Sequence, residues 1–231
     1  MIETAKLQHI IKSDKLQRMI IKTELQRMLK IAVIGPESTG KTELCRALAL
    51  HYDCVWEPEL ARGYIENLSR EYTRADVEEI ARLQIEQEKK YETADAGMVF
   101  FDTDLIITKV WFQHKYHAVP SFVEERLCSR YFDFYLLSMP DIPWEYDPVR
   151  ENGDKREFFL DWYEREVRAL GTPYEKVQGI GDKRLQNAVK AVDEFLMRKY
   201  RKGNHSRDSI RSIPTIRPSS SAMPRRRPLS G

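Results

Sequence analysis

A glycine-rich segment near the start of the chain restricts the folds open to this protein of 231 residues. Residues 35–42 read GPESTGKT and match the pattern G-x-x-x-x-G-K-[ST]. The apolar run at 29–35 predicts a buried strand before the loop, and a helical pattern follows over Lys41–His51. Between a strand and a helix, backbone amides and the helix N-terminus converge on one point, which suits phosphate oxygens. The residues expected around the phosphates are Gly35, Pro36, Glu37, Ser38, Thr39, Gly40, Lys41, Thr42 and Glu43.

The remaining core alternates short apolar runs with amphipathic stretches. This alternation favours a parallel sheet that is covered by helices on both faces. We therefore predict a P-loop NTPase fold over residues 29–200, a three-layer α/β/α domain with a five-stranded parallel sheet. The four further strands are expected at 53–58, 98–103, 132–138 and 175–180. The main helices that follow are expected at 74–96, 105–117, 121–129, 157–170 and 183–199.

The two ends of the chain differ from this core in composition. Residues 1–30 contain three related lysine- and glutamine-rich pieces. Residues 1–28 predict a helical or disordered extension, with translation from Met19 or Met28 as an alternative. Residues 201–231 hold eight Lys/Arg, seven Ser and four Pro, so we expect a flexible, disordered basic tail. Its arginines at 225–227 could contact nucleic acid, but a solvated tail is the simpler interpretation.

Composition limits the cellular location and the partners that we expect for this protein. No run of 18 apolar residues and no signal-peptide pattern occurs, so we expect a cytoplasmic protein with no membrane partner. The three cysteines fit no zinc or disulfide spacing, which agrees with reduced thiols. Homo-oligomerisation is left open by the sequence.

An acidic pair ends the third predicted strand. Asp102 follows the apolar run at 98–101, a position that suits a carboxylate holding Mg²⁺ directly or through water. The Thr42 hydroxyl is the second expected metal ligand, and Lys41 is expected to reach the β- and γ-phosphates of ATP. Asp104 could share the metal or face an acceptor. The expected cofactors are therefore ATP and Mg²⁺.

The charged segments favour one class of P-loop protein. No N-K-x-D guanine motif occurs, and residues 29–200 leave no room for the helical lid domain of a AAA+ machine. Phosphoryl transfer needs positive groups around the moving phosphate and a loop that excludes water. We therefore predict a small-molecule kinase. Its acceptor-side residues would be Glu57, Glu59 and Arg62 after the second strand, and its lid residues Arg150, Lys155 and Arg156 in the proline-rich segment.

These motifs resemble the ribosylnicotinamide kinase domain of the NadR family. The similar pieces run in the family's order through residues 29–195. They are GPESTGKT (35–42), EPELAR (57–62), FFDTD (100–104) with Thr108, YLLSMPDIPWEYDPVR (135–150) and GIGDKR (179–184). The resemblance implies transfer of the ATP γ-phosphate to the 5′-hydroxyl of nicotinamide riboside, which gives nicotinamide mononucleotide. It does not reach the family's DNA-binding and nucleotidyltransferase domains, so we expect neither repression nor dinucleotide synthesis.

An acceptor pocket is expected beside the proline-flanked turn at Trp144. A nicotinamide ring is flat and cationic, and an indole face attracts it by stacking and cation–π contact. The alternative role for Trp144 is packing of a lid on the core. The expected substrate-binding residues are Glu59, Arg62, Asp104, Trp144 and Tyr146.

A carboxylate that hydrogen-bonds the 5′-hydroxyl is the expected general base, and Glu57 and Asp104 both remain candidates. Asp182 and Arg184 follow the last strand, where kinases of this shape cover the adenine ring; a helix start is the alternative. The expected catalytic residues are Lys41, Glu57, Asp104, Arg150 and Arg156.

Two other functions stay open at this point. One is a kinase of another hydroxylated small molecule such as a nucleoside, whose neutral base would favour an Asn or Gln in the pocket. The other is a non-enzymatic regulator that binds a nucleotide without turnover. The expected partner is a small molecule and not nucleic acid, although nucleic-acid binding by the basic tail would support the regulator.

Overall fold

The structure is a computed structural model that describes residues 27–145, 147 and 152–208, with only the backbone described for residues 200–208. Its strands are β1 Met28–Ile34, β2 Val55–Glu57, β3 Gly97–Asp102, β4 Phe134–Ser138 and β5 Tyr174–Val177. Its helices are α1 Lys41–Tyr52, α2 Leu60–Glu66, α3 Arg74–Lys89, α4 Leu105–Tyr116, α5 Ser121–Cys128, α6 Arg156–Leu170 and α7 Asp182–Asp208, with a 3₁₀ turn at Gly153–Lys155.

The five strands form one sheet in the order β2-β3-β1-β4-β5, and every neighbouring pair is parallel. The apolar β1 lies at the centre, where both of its faces are buried, as expected for a run without polar alternation. Val33 of β1 pairs with Asp102 of β3, and Ile34 pairs with Leu137 of β4. The carboxyl ends of these three strands therefore meet at one edge, directly before the glycine-rich loop.

Helices cover both faces of the sheet. On one face Ala32, Phe101 and Tyr135 belong to a core that includes apolar residues of α3, α4, α5 and α6. On the other face Tyr52 of α1 stacks on Phe100 with ring centroids 5.9 Å apart, and Phe195 of α7 stacks on Phe134 at 4.5 Å. The prediction of a three-layer α/β/α fold with a five-stranded parallel sheet is confirmed.

Two predicted helix ends move in the structure. Helix α3 ends at Lys89 and not at Ala96. The residues after it bond to distant side chains: the Tyr91 hydroxyl donates to Glu57 at 2.6 Å, and Glu92 accepts from Arg126 at 2.8 Å. Helix α7 continues to Asp208, beyond the predicted core boundary at 200. An established helix gains one hydrogen bond per added residue, so it can extend without an apolar face.

The chain divides into two compact units, Met1–Phe195 and Leu196–Gly231. The first contains the whole sheet, and the described part of the second is the end of α7. The predicted extension 1–28 lies outside the described residues except for its last two, and Met28 already begins β1. Tail residues 209–231 and the predicted site residues Tyr146 and Arg150 also lie outside them.

Candidate active site

The glycine-rich loop has a backbone that few other residues could follow. Gly35 has φ 151°, and a Cβ there would lie 2.6 Å from the Ser138 carbonyl oxygen of the neighbouring strand. Gly40 has φ 70° and precedes α1. The Thr39 hydroxyl and the Lys41 ammonium both donate to the Pro36 carbonyl, at 2.9 and 3.0 Å. Both glycines are thus required by the path of the loop, as its pattern predicts.

Thr42 and Asp102, the two predicted metal ligands, are brought together. The Thr42 hydroxyl donates to Asp102 Oδ2 at 2.5 Å, while Asp102 Oδ1 is buried without a hydrogen-bond partner among the described residues. Within the same residues no group of three His, Cys, Asp or Glu side chains could form a protein-only metal cage. Magnesium is commonly held by one or two protein oxygens together with phosphates and water. The pair therefore fits Mg²⁺ bound with a nucleotide.

One cavity of about 990 Å³ opens at this edge of the sheet. Residues 35 and 37–43 of the glycine-rich loop line one part of it. Its volume is in the range of pockets that take nucleotide-sized ligands. The rest of the lining includes aliphatic side chains and many polar or aromatic ones, among them Glu59, Arg62, Tyr72, Gln84, Thr103, Thr108, Trp111, Lys115, Phe159 and Tyr163.

Glu59 and Arg62 line the cavity as predicted. Glu59 immediately precedes α2, and its burial raises the pKa of the carboxyl group above its ordinary value, while the charges of Lys41 and Arg62 oppose this shift. Arg62 donates to Asp147 at 2.8 Å and to Glu66 at 3.3 Å. The loop after β2 thus gives the cavity one carboxylate that holds its proton more strongly than usual and one guanidinium.

The two predicted general bases lie elsewhere. Glu57 accepts hydrogen bonds from Gln87 at 2.8 Å and Tyr91 at 2.6 Å, and it does not line the cavity. Asp104 caps α4 by accepting from the amide of Ile106 at 3.0 Å and also accepts from Tyr135 at 2.8 Å. Burial raises the pKa of Asp104 to about 7, against these hydrogen bonds. In this geometry both carboxylates are bonded to protein groups, and their predicted catalytic and substrate-binding roles stay predictions.

The proline-rich segment lies against the phosphate loop. Arg156 donates to the carbonyls of Ile142 at 2.8 Å and Ser38 at 3.3 Å. The amide of Glu145 donates to the Ser38 hydroxyl at 3.2 Å, and that of Asn152 to the Glu37 carboxylate at 3.1 Å. In this geometry Arg156 positions the loop, while Lys155 is exposed.

Trp144 does not line the cavity. Its indole packs on Gly153, where an added Cβ would lie 2.6 Å from Cε2 of the ring. The alternative of a packing role for Trp144 therefore fits the structure better than the predicted stacking on a substrate.

Arg184 is a buried connector between three segments. Its guanidinium donates to the carbonyls of Thr39 at 2.6 Å, Met139 at 2.9 Å and Gly179 at 2.7 Å, and it also pairs with Asp141. With these donors directed to protein groups, Arg184 supports the phosphate loop, and its predicted contact with the nucleotide stays a prediction. Asp182, the other predicted nucleotide residue, is exposed at the first position of α7.

Trp111 and Tyr72 supply an aromatic part of the cavity, and neither was among the residues predicted for the site. Thr108 and Trp111 belong to α4, and Thr108 donates to Gln84 of α3 at 2.7 Å. Trp111 meets Tyr72 edge to face at 5.0 Å, and Lys115 donates to the Tyr72 hydroxyl at 2.6 Å. The spacing of Thr108, Trp111 and Lys115 places them on one helix face, a signal that sequence carries. Which face meets the cavity depends on tertiary packing.

Fold and site together define a P-loop protein with kinase-like architecture. The chain belongs to the family described as AAA domain, whose model matches residues 30–184. Those residues lie within one compact unit, Met1–Phe195, and the described part of it shows no separate helical lid domain. None of the described helices is long and apolar enough to cross a membrane. A comparison with functionally curated proteins gives no match.

Solved structures of NadR are similar to this chain. A crystal structure of NadR in complex with NR is 25% identical and covers 78% of this chain and 54% of its own, with a TM-score of 0.57. A NadR complex with NAD and AMP-PNP is also 25% identical, with coverages of 78% and 51% and a TM-score of 0.56. The chain thus spans about half the length of these NadR structures. The resemblance drawn from the motifs is confirmed, and the domain is NadR-like.

A deoxyadenosine kinase extends the comparison at the level of the fold. The enzyme from M. mycoides, solved with dCMP and dCDP, is 12% identical and covers 72% of this chain and all of its own, with a TM-score of 0.53. At that identity the likeness concerns the fold alone, and it supports the kinase-like architecture.

Proposed function

We propose that the protein is an ATP-dependent phosphotransferase that phosphorylates the 5′-hydroxyl of a ribonucleoside, with nicotinamide riboside as the acceptor. The observation that carries the proposal is a single cavity whose lining joins the phosphate loop to an aromatic surface. A donor and a flat-ringed acceptor can both occupy such a cavity. The similarity to NadR supports nicotinamide riboside in particular.

Lys41 and the loop amides would hold the ATP phosphates, and Thr42 and Asp102 would hold Mg²⁺. The metal would neutralise charge on the β- and γ-phosphate oxygens. Glu59 is our candidate for the base, since it lines the cavity and carries a raised pKa. As the acceptor oxygen bonds to the γ-phosphorus and the bond to the bridging oxygen breaks, the hydroxyl proton passes to Glu59 and ADP leaves.

The ring of the acceptor would contact Trp111 and Tyr72. A cationic pyridinium ring is attracted to aromatic faces, and the carboxylates of Glu71 and Glu145 also line the cavity. These residues replace Trp144 in the proposal. We infer that Trp111 supplies the main stacking surface, because the indole has the largest aromatic face.

The first experiment measures ADP release from ATP and Mg²⁺ with a panel of nucleosides, and product mass by mass spectrometry. We expect release that depends on nicotinamide riboside and falls at least 100-fold in Lys41→Ala and Asp102→Asn. Lys89→Ala is the matched control, since Lys89 is an exposed residue of α3 that does not line the cavity. ATP binding without release in the presence of any nucleoside contradicts the kinase proposal and favours a nucleotide-binding regulator.

A kinase of a nucleoside with a neutral base is the second candidate, and Gln84 favours it. Gln84 lines the cavity and accepts from Thr108 through its carbonyl oxygen, which directs its amide nitrogen to another partner. An amide suits the edge of a neutral base. Preferential turnover of an ordinary nucleoside, lost in Gln84→Leu, would support this alternative over nicotinamide riboside.

A further inference from the structure

Thr103 has an unusual backbone at the end of β3. Its φ is 78°, a left-handed value that is a genuine outlier for a β-branched residue. Its amide donates to the Val33 carbonyl at 2.9 Å, which anchors it beside the strand that leads into the phosphate loop. Strained backbone of this kind is concentrated at functional sites, so the outlier motivates a functional hypothesis.

The side chain of Thr103 is also unusual. Its hydroxyl is buried and has no hydrogen-bond partner among the described residues, and the same holds for Asp102 Oδ1 and Ser138 Oγ. Buried polar groups nearly always have partners, yet Asp102 and Thr103 are consecutive residues at the carboxyl end of β3 and each has an atom without one, while Ser138 ends β4 on the other side of β1. Thr103 lines the cavity together with Thr42, whose hydroxyl contacts Asp102. Asp102 and Thr103 are therefore placed to receive an oxygen-rich ligand.

We propose that the Thr103 hydroxyl hydrogen-bonds an oxygen of the bound metal–nucleotide complex, either a phosphate oxygen or a water on the metal. Either oxygen would give the Thr103 hydroxyl the hydrogen-bond partner that it lacks among the described residues. The acceptor hydroxyl is the less favoured ligand, because Asp102 and Thr42 place Thr103 on the metal side of the cavity. The inference rests on the nucleotide site of the proposed function and not on the identity of the acceptor.

The test compares Thr103→Val with Thr103→Ser by calorimetric titration of ATP, with Mg²⁺ and with EDTA. Valine keeps the β-branched shape and removes the hydroxyl, while serine keeps the hydroxyl. We expect Thr103→Val to lose about five- to tenfold in Mg-ATP affinity, the usual effect of one hydrogen bond, and Thr103→Ser to stay within about twofold of wild type. A loss only with Mg²⁺ assigns the ligand to metal-bound water, and a loss under both conditions assigns it to a phosphate oxygen.

The Tm of each ligand-free protein separates binding from folding. Because Thr103→Val removes a buried hydroxyl without a partner, its Tm should equal or exceed that of wild type. Three results would overturn the proposal: unchanged Mg-ATP affinity in Thr103→Val, a loss shared by Thr103→Ser, or a loss accompanied by a lower Tm. None of these readouts requires turnover, so failure to phosphorylate a nucleoside leaves them intact.

Discussion

The properties of Glu59 depend on what surrounds one carboxyl group. Burial favours its protonated form, while the positive charges of Lys41 and Arg62 favour the carboxylate, and the balance leaves the pKa above the ordinary value for glutamate. A carboxylate of raised pKa is a stronger base at neutral pH than an ordinary surface glutamate. Its position in the same cavity as Lys41 gives this basicity a use in proton transfer.

We predict an acidic limb in the pH dependence of kcat/KM that belongs to Glu59. Because the base acts as the carboxylate, activity should be lost as the pH falls through its raised pKa, at a pH above 4.5. Glu59→Gln should lower kcat about 100-fold and remove this limb, as pH–rate profiles of both proteins would reveal. Glu86→Gln, at an exposed site on α3, is the control. Glu59→Gln with near wild-type kcat would assign the base elsewhere.

The sequence predicts the role of a residue well when that role depends on its neighbours along the chain, and poorly when it depends on distant residues. Thr42 and Asp102 could be paired in advance, because a loop pattern and a strand end determine their positions. Glu57 and Asp104 could not be judged in this way, since each is bonded to residues that are about 30 positions away along the chain: Tyr91 for Glu57 and Tyr135 for Asp104. Such partners depend on the assembled fold and leave no local signal.

Among the elements, α3 has the most strongly specified start. Thr73 and Asp76 form a reciprocal capping box, in which the Thr73 amide donates to Asp76 at 2.7 Å. Arg70 donates to both oxygens of Asp76 at 2.7 and 2.8 Å. These bonds hold the pKa of Asp76 well below its ordinary value. The sequence predicts the start of this helix at Arg74, whereas its end depends on contacts of Tyr91 and Glu92 with distant residues.

We predict that Asp76→Asn lowers the Tm at neutral pH, since it removes the charge that Arg70 and the amide and hydroxyl of Thr73 stabilise. A carboxyl group whose folded pKa is depressed contributes stability above its unfolded pKa, near 3.8, and loses this contribution as the pH falls towards the folded value. The Tm difference between wild type and variant should therefore shrink below about pH 4.

Thermal melts from pH 2 to 8 measure this difference. Glu79→Gln, an exposed change on the same helix, should show no such pH-dependent gap from wild type. A Tm difference for Asp76→Asn that stays constant over the whole range would rule out the ionised carboxylate as its source.

At the scale of the whole molecule, the phosphate loop is held in place by two arginines that lie far from it in the sequence, at the starts of α6 and α7. Arg184, at the start of α7, joins the loop carbonyl of Thr39 to the ends of β4 and β5. Arg156, at the start of α6, donates to the carbonyl of Ser38 in the loop and to the carbonyl of Ile142. Arg156, predicted as a catalytic lid residue, and Arg184, predicted to bind the nucleotide, both donate to carbonyls of the phosphate loop. The stability of the fold and the affinity for nucleotide should therefore change together.

We predict that Arg184→Met lowers both the stability of the fold and the affinity for nucleotide. It leaves the carbonyls of Thr39, Met139 and Gly179 without their donor, which should lower the free energy of unfolding by roughly 3 kcal/mol. Because the Thr39 carbonyl belongs to the phosphate loop, Mg-ATP affinity should also fall, by about tenfold. Urea unfolding and nucleotide titration measure the two effects.

Two further variants separate the effect of the Arg184 hydrogen bonds from that of its positive charge and from any general effect of changing α7. Lys190→Met, at an exposed site of the same helix, should leave both properties unchanged. Arg184→Lys keeps the charge but cannot reach three carbonyls at once, so it should fall between wild type and Arg184→Met in both measurements. If Arg184→Met instead lowers nucleotide affinity without any loss of stability, Arg184 acts as a direct nucleotide ligand, and its contact with Thr39 is not what matters for binding.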